Sequence, residues 1–341
     1  MSKVISGYVA DWGANSLLAS DAKKMDIVNY AFATISNGRA VENWTNVDKL
    51  LAFRSNNPDL KVLVSIGGWA ADGFSQLAAT GSGREIFANS AIQLMLKYDF
   101  DGIDIDWEYP GLSVSGIASS PEDKYNFTLM MEEIRAQLNV LGNQNNKKYL
   151  LTMAVGSDDS VLRNLEVAKL SNIVDYANLM TYDFAMGLEL LTQRYHTNLY
   201  SEPVIAKRSV DNTVKRYINA GMNKKKVMIG AAFYGYGLTN VNIWENNMAV
   251  MLGQTARSLQ YTYTRIYNEI IVEKGYKRYW DNIAKAPWLY NGNTYFTYDD
   301  PESIKYKGKY VWTKDIAGMM FWEYSQDKTH TLLEAMYREL K

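Results

Sequence analysis

The chain contains no cysteine, only two histidines and six prolines, and its formal net charge is −1 over 341 residues. Without cysteine there is no disulfide, no thiolate metal site and no thiol nucleophile. His196 and His330 leave little material for a histidine-based metal site or a Ser-His-Asp triad. A charge near zero argues against nucleic acid or an anionic membrane as the main partner.

Long apolar segments are also missing, and no run is long enough to span a membrane. The first six residues contain no extended apolar stretch and do not resemble a signal peptide. We expect either a cytoplasmic protein or a secreted protein whose leader has been removed, and in both cases a monomer. The length and a hydrophobic fraction of 47% suit one large α/β barrel or two ordinary domains.

Aromatic residues, by contrast, are abundant, with 25 tyrosines, 10 phenylalanines and 9 tryptophans. Most of them must pack in the core. Sugar rings, however, present apolar C–H faces that stack on aromatic rings, so exposed aromatics at the end of a barrel would fit a carbohydrate-binding cleft.

The most informative stretch is Phe100–Pro110, with the sequence F-D-G-I-D-I-D-W-E-Y-P. The alternation predicts a β-strand with Asp104, Asp106 and Glu108 on one face, about 7 Å apart from one to the next. The flanking Ile, Trp and Tyr residues indicate burial rather than a solvated acidic edge.

Buried carboxylates repel one another, and the repulsion is relieved when one carboxyl stays protonated because its pKa is raised. A protonated carboxyl beside an ionised one is typical of general acid catalysis near neutral pH. A divalent cation site is the alternative, since hard cations bind carboxylate oxygens, but it needs further oxygen ligands.

The four acids Asp101, Asp104, Asp106 and Glu108 match the D-x-x-D-x-D-x-E signature, and the chain resembles glycoside hydrolase family 18, the chitinase family. Ser-Ile-Gly-Gly-Trp at 65–69 and Met-Thr-Tyr-Asp at 180–183 resemble two further motifs of that family. The resemblance extends over most of the chain.

Short β-like runs alternate with helical patterns along the chain, which predicts either a (β/α)8 barrel or a doubly wound sheet. The family resemblance implies the barrel, an α/β TIM fold. The interval between the seventh and eighth strands is much longer than the others, and it resembles the α+β insertion of one chitinase subfamily. We therefore expect a catalytic barrel from 1–238 and 299–341, and an insertion domain at 239–298 that walls the substrate groove.

The resemblance also implies roles for the acids. Glu108 is expected to protonate the glycosidic oxygen, and Asp106 to orient the acetamido group of the bound sugar. Asp104 is expected to share a proton with Asp106, and Tyr182 to donate a hydrogen bond to the acetamido group. Asp101 is expected to be structural.

A second group of residues is expected to contact the sugar chain or to support the residues that do. Tyr236 stands where the family usually has arginine, and Ala232 where it has proline, so one substrate contact differs in this chain. The expected substrate-binding residues are Tyr8, Phe32, Ser65, Gly68, Trp69, Met180, Asp183, Tyr236 and Trp322.

By resemblance, the protein is a retaining hydrolase of β-1,4-linked N-acetylglucosamine polymers that uses the substrate's own acetamido group and needs no metal or organic cofactor. Its expected partners are chitin or N-acetylglucosamine oligosaccharides. Two alternatives remain open: the same chemistry on peptidoglycan or on the chitobiose core of N-glycans, and a sugar-binding lectin without catalysis. Such lectins typically lack the terminal glutamate, which is present here as Glu108.

Overall fold

The eight predicted strands form one closed parallel barrel. The computed structural model describes residues 2–341, and in it the first strand pairs with both the second and the eighth. This closure confirms the (β/α)8 barrel and excludes the doubly wound sheet, which is open. In chain order the barrel strands are Val4–Ala10, Ile27–Ser36, Lys61–Gly67, Gly102–Asp106, Leu150–Gly156, Tyr176–Met180, Val227–Ala232 and Gly318–Trp322.

Helices follow most of the strands and cover the outside of the barrel. None of those in residues 2–341 combines the length and apolar character needed to cross a membrane. The α-helices around the barrel are Val47–Arg54, Phe74–Ala78, Gly81–Lys97, Asp123–Asn145, Asp159–Arg163, Val167–Ile173, Leu190–Gln193, Val210–Asn219, Pro301–Lys314 and Thr331–Leu340. Short 3₁₀ turns occupy Asp11–Ser16, Ala19–Lys24, Gly187–Glu189, Lys224–Lys226 and Tyr324–Gln326.

An α+β insertion follows the seventh barrel strand. Its antiparallel sheet has the spatial order Ser258–Thr262, Tyr234–Leu238, Tyr295–Tyr298, Ala286–Tyr290 and Lys277–Asp281. It also carries the hairpin Val241–Trp244 and Asn247–Val250, the short helix Tyr263–Arg265 and the π-helix Ile266–Glu273. A further short strand, Arg39–Val41, pairs antiparallel with the end of the second barrel strand.

The chain returns from the insertion to the barrel through a well-formed helix start. The Asp300 side chain accepts hydrogen bonds from the backbone N–H groups of Glu302 and Ser303, and Pro301 occupies the first turn. An aspartate at the N-cap accepts hydrogen bonds from the free N–H groups of the first turn. Proline at the first helical position costs no hydrogen bond, because an N–H there would have no partner within the helix. The Asp300-Pro301 pair therefore sets the start of the helix Pro301–Lys314.

Side chains of the fourth strand separate into two environments. Asp104 and Asp106 point into the barrel, whereas Ile103, Ile105 and Trp107 pack outward in the main hydrophobic core. The Trp107 ring stacks on Phe74 with 5.3 Å between centroids. The outward face thus anchors the strand under the helices while the inward face presents its acids at the barrel mouth.

Candidate active site

The acidic strand rises from the barrel interior to its mouth. Asp104 is fully buried, Asp106 is 4% exposed and Glu108 is 9% exposed. The strand itself ends at Asp106, one residue before the predicted end at Trp107, and Glu108 lies two residues past its end rather than on its face. This position lets the Glu108 side chain reach the open cleft while Asp104 stays beneath it.

Asp104 is held by a complete set of neutral donors. It accepts hydrogen bonds from Thr152 Oγ1 at 2.6 Å, Ser65 Oγ at 2.8 Å, Tyr8 OH at 3.0 Å and Asn178 Nδ2 at 3.4 Å. Ser65 and Thr152 lie directly beside Asp104 in the register of the two neighbouring strands. Because burial outweighs these bonds, the pKa of Asp104 is still raised.

Asp106 and Glu108 lie above this network, and the charge of Glu108 acts on the pKa of Asp106. Burial raises the pKa of Asp106 well above its usual range, and the neighbouring charges of Glu108 and Asp104 add to the effect. Burial also raises the pKa of Glu108 to about 7, and the negative charge of Asp183 contributes. Oδ1 of Asp106 is buried without a hydrogen-bond partner. The pair therefore retains a proton near neutral pH, as general acid catalysis requires.

Asp101 lies at the opposite end of the strand, away from the cleft. It is 2% exposed and forms ion pairs with Arg54 at 2.8 Å and Lys147 at 3.1 Å. It also accepts a hydrogen bond from the backbone N–H of Val62 at 3.0 Å. These contacts hold the strand start against its neighbours and do not reach the other acids.

The glycine pair at the end of the third strand lies against the catalytic strand. Gly67 has a φ of +121°, and a Cβ built on it would lie 2.0 Å from the carbonyl oxygen of Asp106. Gly68 donates its backbone N–H to that same oxygen at 2.8 Å. A side chain at Gly67 would push the two strands apart, so glycine is needed for this close approach.

Three aromatic rings form the floor of the cleft. Trp322, at the end of the eighth strand, stacks on Phe32 with 5.4 Å between centroids and an interplanar angle of 20°. Tyr8 lies 5.7 Å from Trp322 in a tilted arrangement and connects the floor to Asp104. Trp69, which is 62% exposed, lines the cleft at its rim.

The sixth strand ends beside Glu108 with Met180, Tyr182 and Asp183, all of which line the cleft. Tyr182 is 7% exposed and its pKa is raised well above its usual range by burial and by the charge of Asp183, so its hydroxyl stays protonated. Asp183 accepts a hydrogen bond from Tyr234 OH at 2.6 Å. Tyr236 lies next to Tyr234 with 5.7 Å between ring centroids.

The cleft that joins these residues has a volume of about 1100 Å³. Every predicted site residue lines it except Ser65 and Asp104, which support it from below, and Asp101. The sequence reasoning missed Thr152, Asn178 and Tyr234, which hold the acids, and Trp12, which lines the cleft at 66% exposure. Only the pattern of polar residues inside barrel strands hinted at Thr152 and Asn178.

The alternative of a cation site finds no support in the geometry of the acids. Among residues 2–341 no group of three or more acidic or histidine side chains is arranged to hold a metal ion. Asp104, below the cleft, accepts its hydrogen bonds from hydroxyl and amide groups, and Asp183, in the cleft, accepts one from the Tyr234 hydroxyl.

Comparison with known proteins supports the family resemblance seen in the sequence motifs. The model of the glycosyl hydrolases family 18 matches residues 4–327. Chitinase A1 of Niallia circulans is 35% identical over 318 residues, which cover 86% of this chain and 44% of that protein. Chitotriosidase-1 of Mus musculus is 30% identical and the match covers 65% of it. The chain thus spans about half to two thirds of the length of these relatives.

Solved structures agree along the whole chain. A family 18 N-acetylglucosaminidase from Paenibacillus barengoltzii superposes with a TM-score of 0.92 at 39% identity, covering 99% of this chain and 100% of that one. Chitinase ChiA74 from Bacillus thuringiensis superposes with a TM-score of 0.88 at 30% identity, covering 100% of this chain and 70% of that one. With the family model matching nearly the full length, the chain belongs to family 18 of the glycosyl hydrolases.

Proposed function

We propose that this protein is a retaining glycoside hydrolase that cleaves β-1,4-linked N-acetylglucosamine polymers, chitin and its oligosaccharides. The observation that carries the proposal is the pair Asp106–Glu108 at the cleft. Glu108 has a pKa of about 7, so it is substantially protonated near neutral pH. A cleft of about 1100 Å³ with an aromatic floor suits several sugar rings rather than one.

The reaction begins with proton transfer from Glu108 to the glycosidic oxygen, as the bond from that oxygen to the anomeric carbon breaks. Asp106 precedes Glu108 at the end of the same strand, so the chain offers no obvious second carboxylate for direct attack on the anomeric carbon. The carbonyl oxygen of the substrate's acetamido group instead bonds to the anomeric carbon and forms a cyclic oxazolinium ion. Water then adds to the anomeric carbon as the bond from the acetamido oxygen to that carbon breaks, and a proton of the water passes to the Glu108 carboxylate, with retention of configuration.

The remaining residues hold the reacting sugar. The free Oδ1 of Asp106 can accept the acetamido N–H. By the family resemblance, Asp106 also stabilises the positive charge of the ion and shares a proton with Asp104, whose charge acts on the pKa of Asp106. The Tyr182 hydroxyl donates to the acetamido oxygen. An internal nucleophile held in place in this way supplies several kcal/mol of the barrier through effective molarity.

The cleft surface supports binding of an extended chain. Trp322 stacks under the cleaved sugar, and Trp69 and Trp12 offer exposed rings farther along the cleft. Gln260, which lies in the insertion, lines the cleft as well, in line with a wall formed by residues 239–298. No lysine or arginine in residues 2–341 lines the cleft, which favours neutral chitin over the carboxylated sugars of peptidoglycan.

One relative supports a second candidate with the same chemistry. The solved family 18 structure at 39% identity is that of an N-acetylglucosaminidase, so release of single sugars from a chain end is the competing mode. Products from N-acetylglucosamine hexamers separate the two, since that mode yields monomer first and an internal cut yields dimers to tetramers.

The decisive experiment uses Glu108→Gln, which keeps the shape of the side chain and removes its proton. Hydrolysis of fully acetylated hexamer should fall by about 10²–10⁴-fold while binding of the hexamer survives. Glu85→Gln, on the outer helix Gly81–Lys97, is the matched control and should leave the rate unchanged. Fully deacetylated chitosan should remain intact. Near-normal turnover by Glu108→Gln would overturn the proposal.

A further inference from the structure

The charge along the cleft is one-sided. Five carboxyl groups line it, and within residues 2–341 no lysine, arginine or histidine does. The acids are distributed along its length, because Asp11 follows the first barrel strand and Asp158 the fifth, on opposite sides of the ring. Asp158 has a partial counter-charge, Arg208 at 3.5 Å, whereas Asp11 is held by hydroxyl and backbone donors.

Asp183 is the carboxylate in this cleft whose surroundings are most unusual. Its side chain is 39% exposed, and its Oδ1 is anchored by Tyr234 OH at 2.6 Å. Across residues 2–341 the one cationic or titratable nitrogen within 4.0 Å of it is Nδ1 of His196, at 3.8 Å. His196 is fully buried and neither of its ring nitrogens has a hydrogen-bond partner.

Tyr236 explains why no fixed cation faces Asp183. It is 6% exposed and packs edge-on against the His196 ring with 5.1 Å between centroids. Burial, with the charge of Asp183 and a hydrogen bond to it, raises the pKa of Tyr236, which therefore stays neutral. At this position the family usually has an arginine. In this chain an uncharged ring fills the space, and the Asp183 charge is left without a permanent partner on the protein.

A half-exposed carboxylate that is held by tyrosine hydroxyls and lacks a counter-charge can bind a cation supplied by the ligand. In a chain of N-acetylglucosamine the cation that arises naturally is the ammonium group of a deacetylated unit. Neighbouring tyrosine rings also tolerate and attract such a group. A carboxylated sugar in the same place would be repelled.

We propose that Asp183 binds the ammonium group of a glucosamine unit next to the cleaved sugar, so that partly deacetylated chitin is a preferred substrate. Tyr236 is the residue that determines this specificity. The inference rests on the proposed function, since the cleaved sugar itself must keep its acetamido group. Fully acetylated chains remain substrates, and fully deacetylated chains do not.

The preference is expected to be modest. Partly exposed ion pairs contribute up to about 1 kcal/mol, which corresponds to roughly a fivefold preference. Because solvent-exposed charges are screened by salt, the preference should shrink as ionic strength rises from about 0.02 to 0.5 M. A preference that comes from shape or from hydrogen bonding would not respond in this way.

The experiment uses a mixture of N-acetylglucosamine hexamers that each carry one glucosamine at random. Products are sequenced by mass spectrometry, and the frequency of glucosamine in the units next to the cleaved sugar is compared with chance. We expect about threefold to fivefold enrichment at low salt that falls towards one at high salt. No enrichment, or an enrichment unchanged by salt, would overturn the inference.

Two variants and a control test whether the glucosamine enrichment depends on Tyr236 and Asp183. Tyr236→Arg supplies a guanidinium group beside Asp183 and should abolish the enrichment, whereas Tyr236→Phe keeps the site uncharged and should retain it. Asp183→Asn, which preserves shape, should abolish it too and covers the case in which the arginine variant does not fold. Enrichment is a ratio within each protein, so changes in overall rate cancel.

The glucosamine preference and the proposed function are tested separately. Fully acetylated hexamer is assayed in parallel. If the wild-type protein cleaves it but shows no enrichment, only the glucosamine preference is wrong. If it cleaves neither substrate, the proposed function itself is wrong.

Discussion

The pH dependence of the reaction should be set by Glu108, and Asp183→Asn should move it. Activity needs the protonated form of Glu108, whose pKa burial raises to about 7 with a contribution from the negative charge of Asp183. Asparagine at position 183 keeps an oxygen for the hydrogen bond from Tyr234 but removes the charge. Losing a nearby negative charge favours the ionised carboxylate, so the pKa of Glu108 should fall.

The size of the effect follows from the pKa. At pH 7 about half of the Glu108 side chains carry the proton, whereas a carboxyl at its ordinary value of 4.5 would be protonated in roughly 0.3% of molecules. Above pH 7 the rate should fall about tenfold for each further pH unit. Burial is the larger cause of the raised pKa and the Asp183 charge the smaller one, so the alkaline limb of the variant should begin below that of the wild type but well above pH 4.5.

The assay is kcat/KM on a soluble chromogenic N-acetylglucosamine oligosaccharide between pH 4 and 9, since this ratio reports the pKa values of the free enzyme. Asp158→Asn is the matched control, because Asp158 lines the same cleft but does not contribute to the pKa of Glu108. The fall in kcat/KM of this control at high pH should begin at the same pH as in the wild type.

Two results would refute the reasoning. One is a wild-type alkaline limb near pH 4.5, which would mean that burial does not raise the pKa of the acid. The other is an identical limb in Asp183→Asn and in wild type, which would mean that the Asp183 charge does not act on Glu108.

Three further predictions concern the cleft and the chemistry. Trp322→Ala should weaken hexamer binding about fivefold, since aromatic stacking contributes about 1 kcal/mol. An unchanged melting temperature would show that the barrel is intact. Loss of folding without a separable binding defect would make Trp322 a core residue. Gln260→Ala should raise KM for a hexamer more than for a dimer, and equal effects would leave the insertion outside substrate binding. Proton NMR should detect the β-anomer as the first product, and the α-anomer would contradict retention.

The order of the acids and the α/β class could be predicted because both depend on short-range periodicity, whereas the choice of a barrel over a doubly wound sheet came from the family resemblance. Alternation with a period of two puts Asp104 and Asp106 on one face of a strand whatever surrounds it, and Ile103 and Ile105 on the other. The strand was nevertheless predicted too long at its end, since hydrogen bonding stops at Asp106 where the barrel opens. Pairing with the neighbouring strands, which local sequence does not encode, sets that boundary.

The surroundings of the acids could not be predicted in the same way. Thr152 and Asn178 hydrogen-bond to Asp104 across 48 and 74 residues of chain, and Tyr234 reaches Asp183 across 51. Such contacts follow from barrel register and from the turn after the seventh strand. Trp12, one of many tryptophans in the sequence, is distinguished as a cleft residue only by its exposure in the folded chain.

The sequence by itself determined which chemical groups this protein has at its centre, because the spacing of Asp104, Asp106 and Glu108 brings three acids in succession to the end of one strand. Only the tertiary structure decided which of the acids are protonated and which side chains surround them. The pKa of Glu108 depends on how much water burial removes, and the uncompensated charge of Asp183 depends on which side chain fills the space beside it. Both are properties of the assembled barrel, since solvation and charge act through space rather than along the chain.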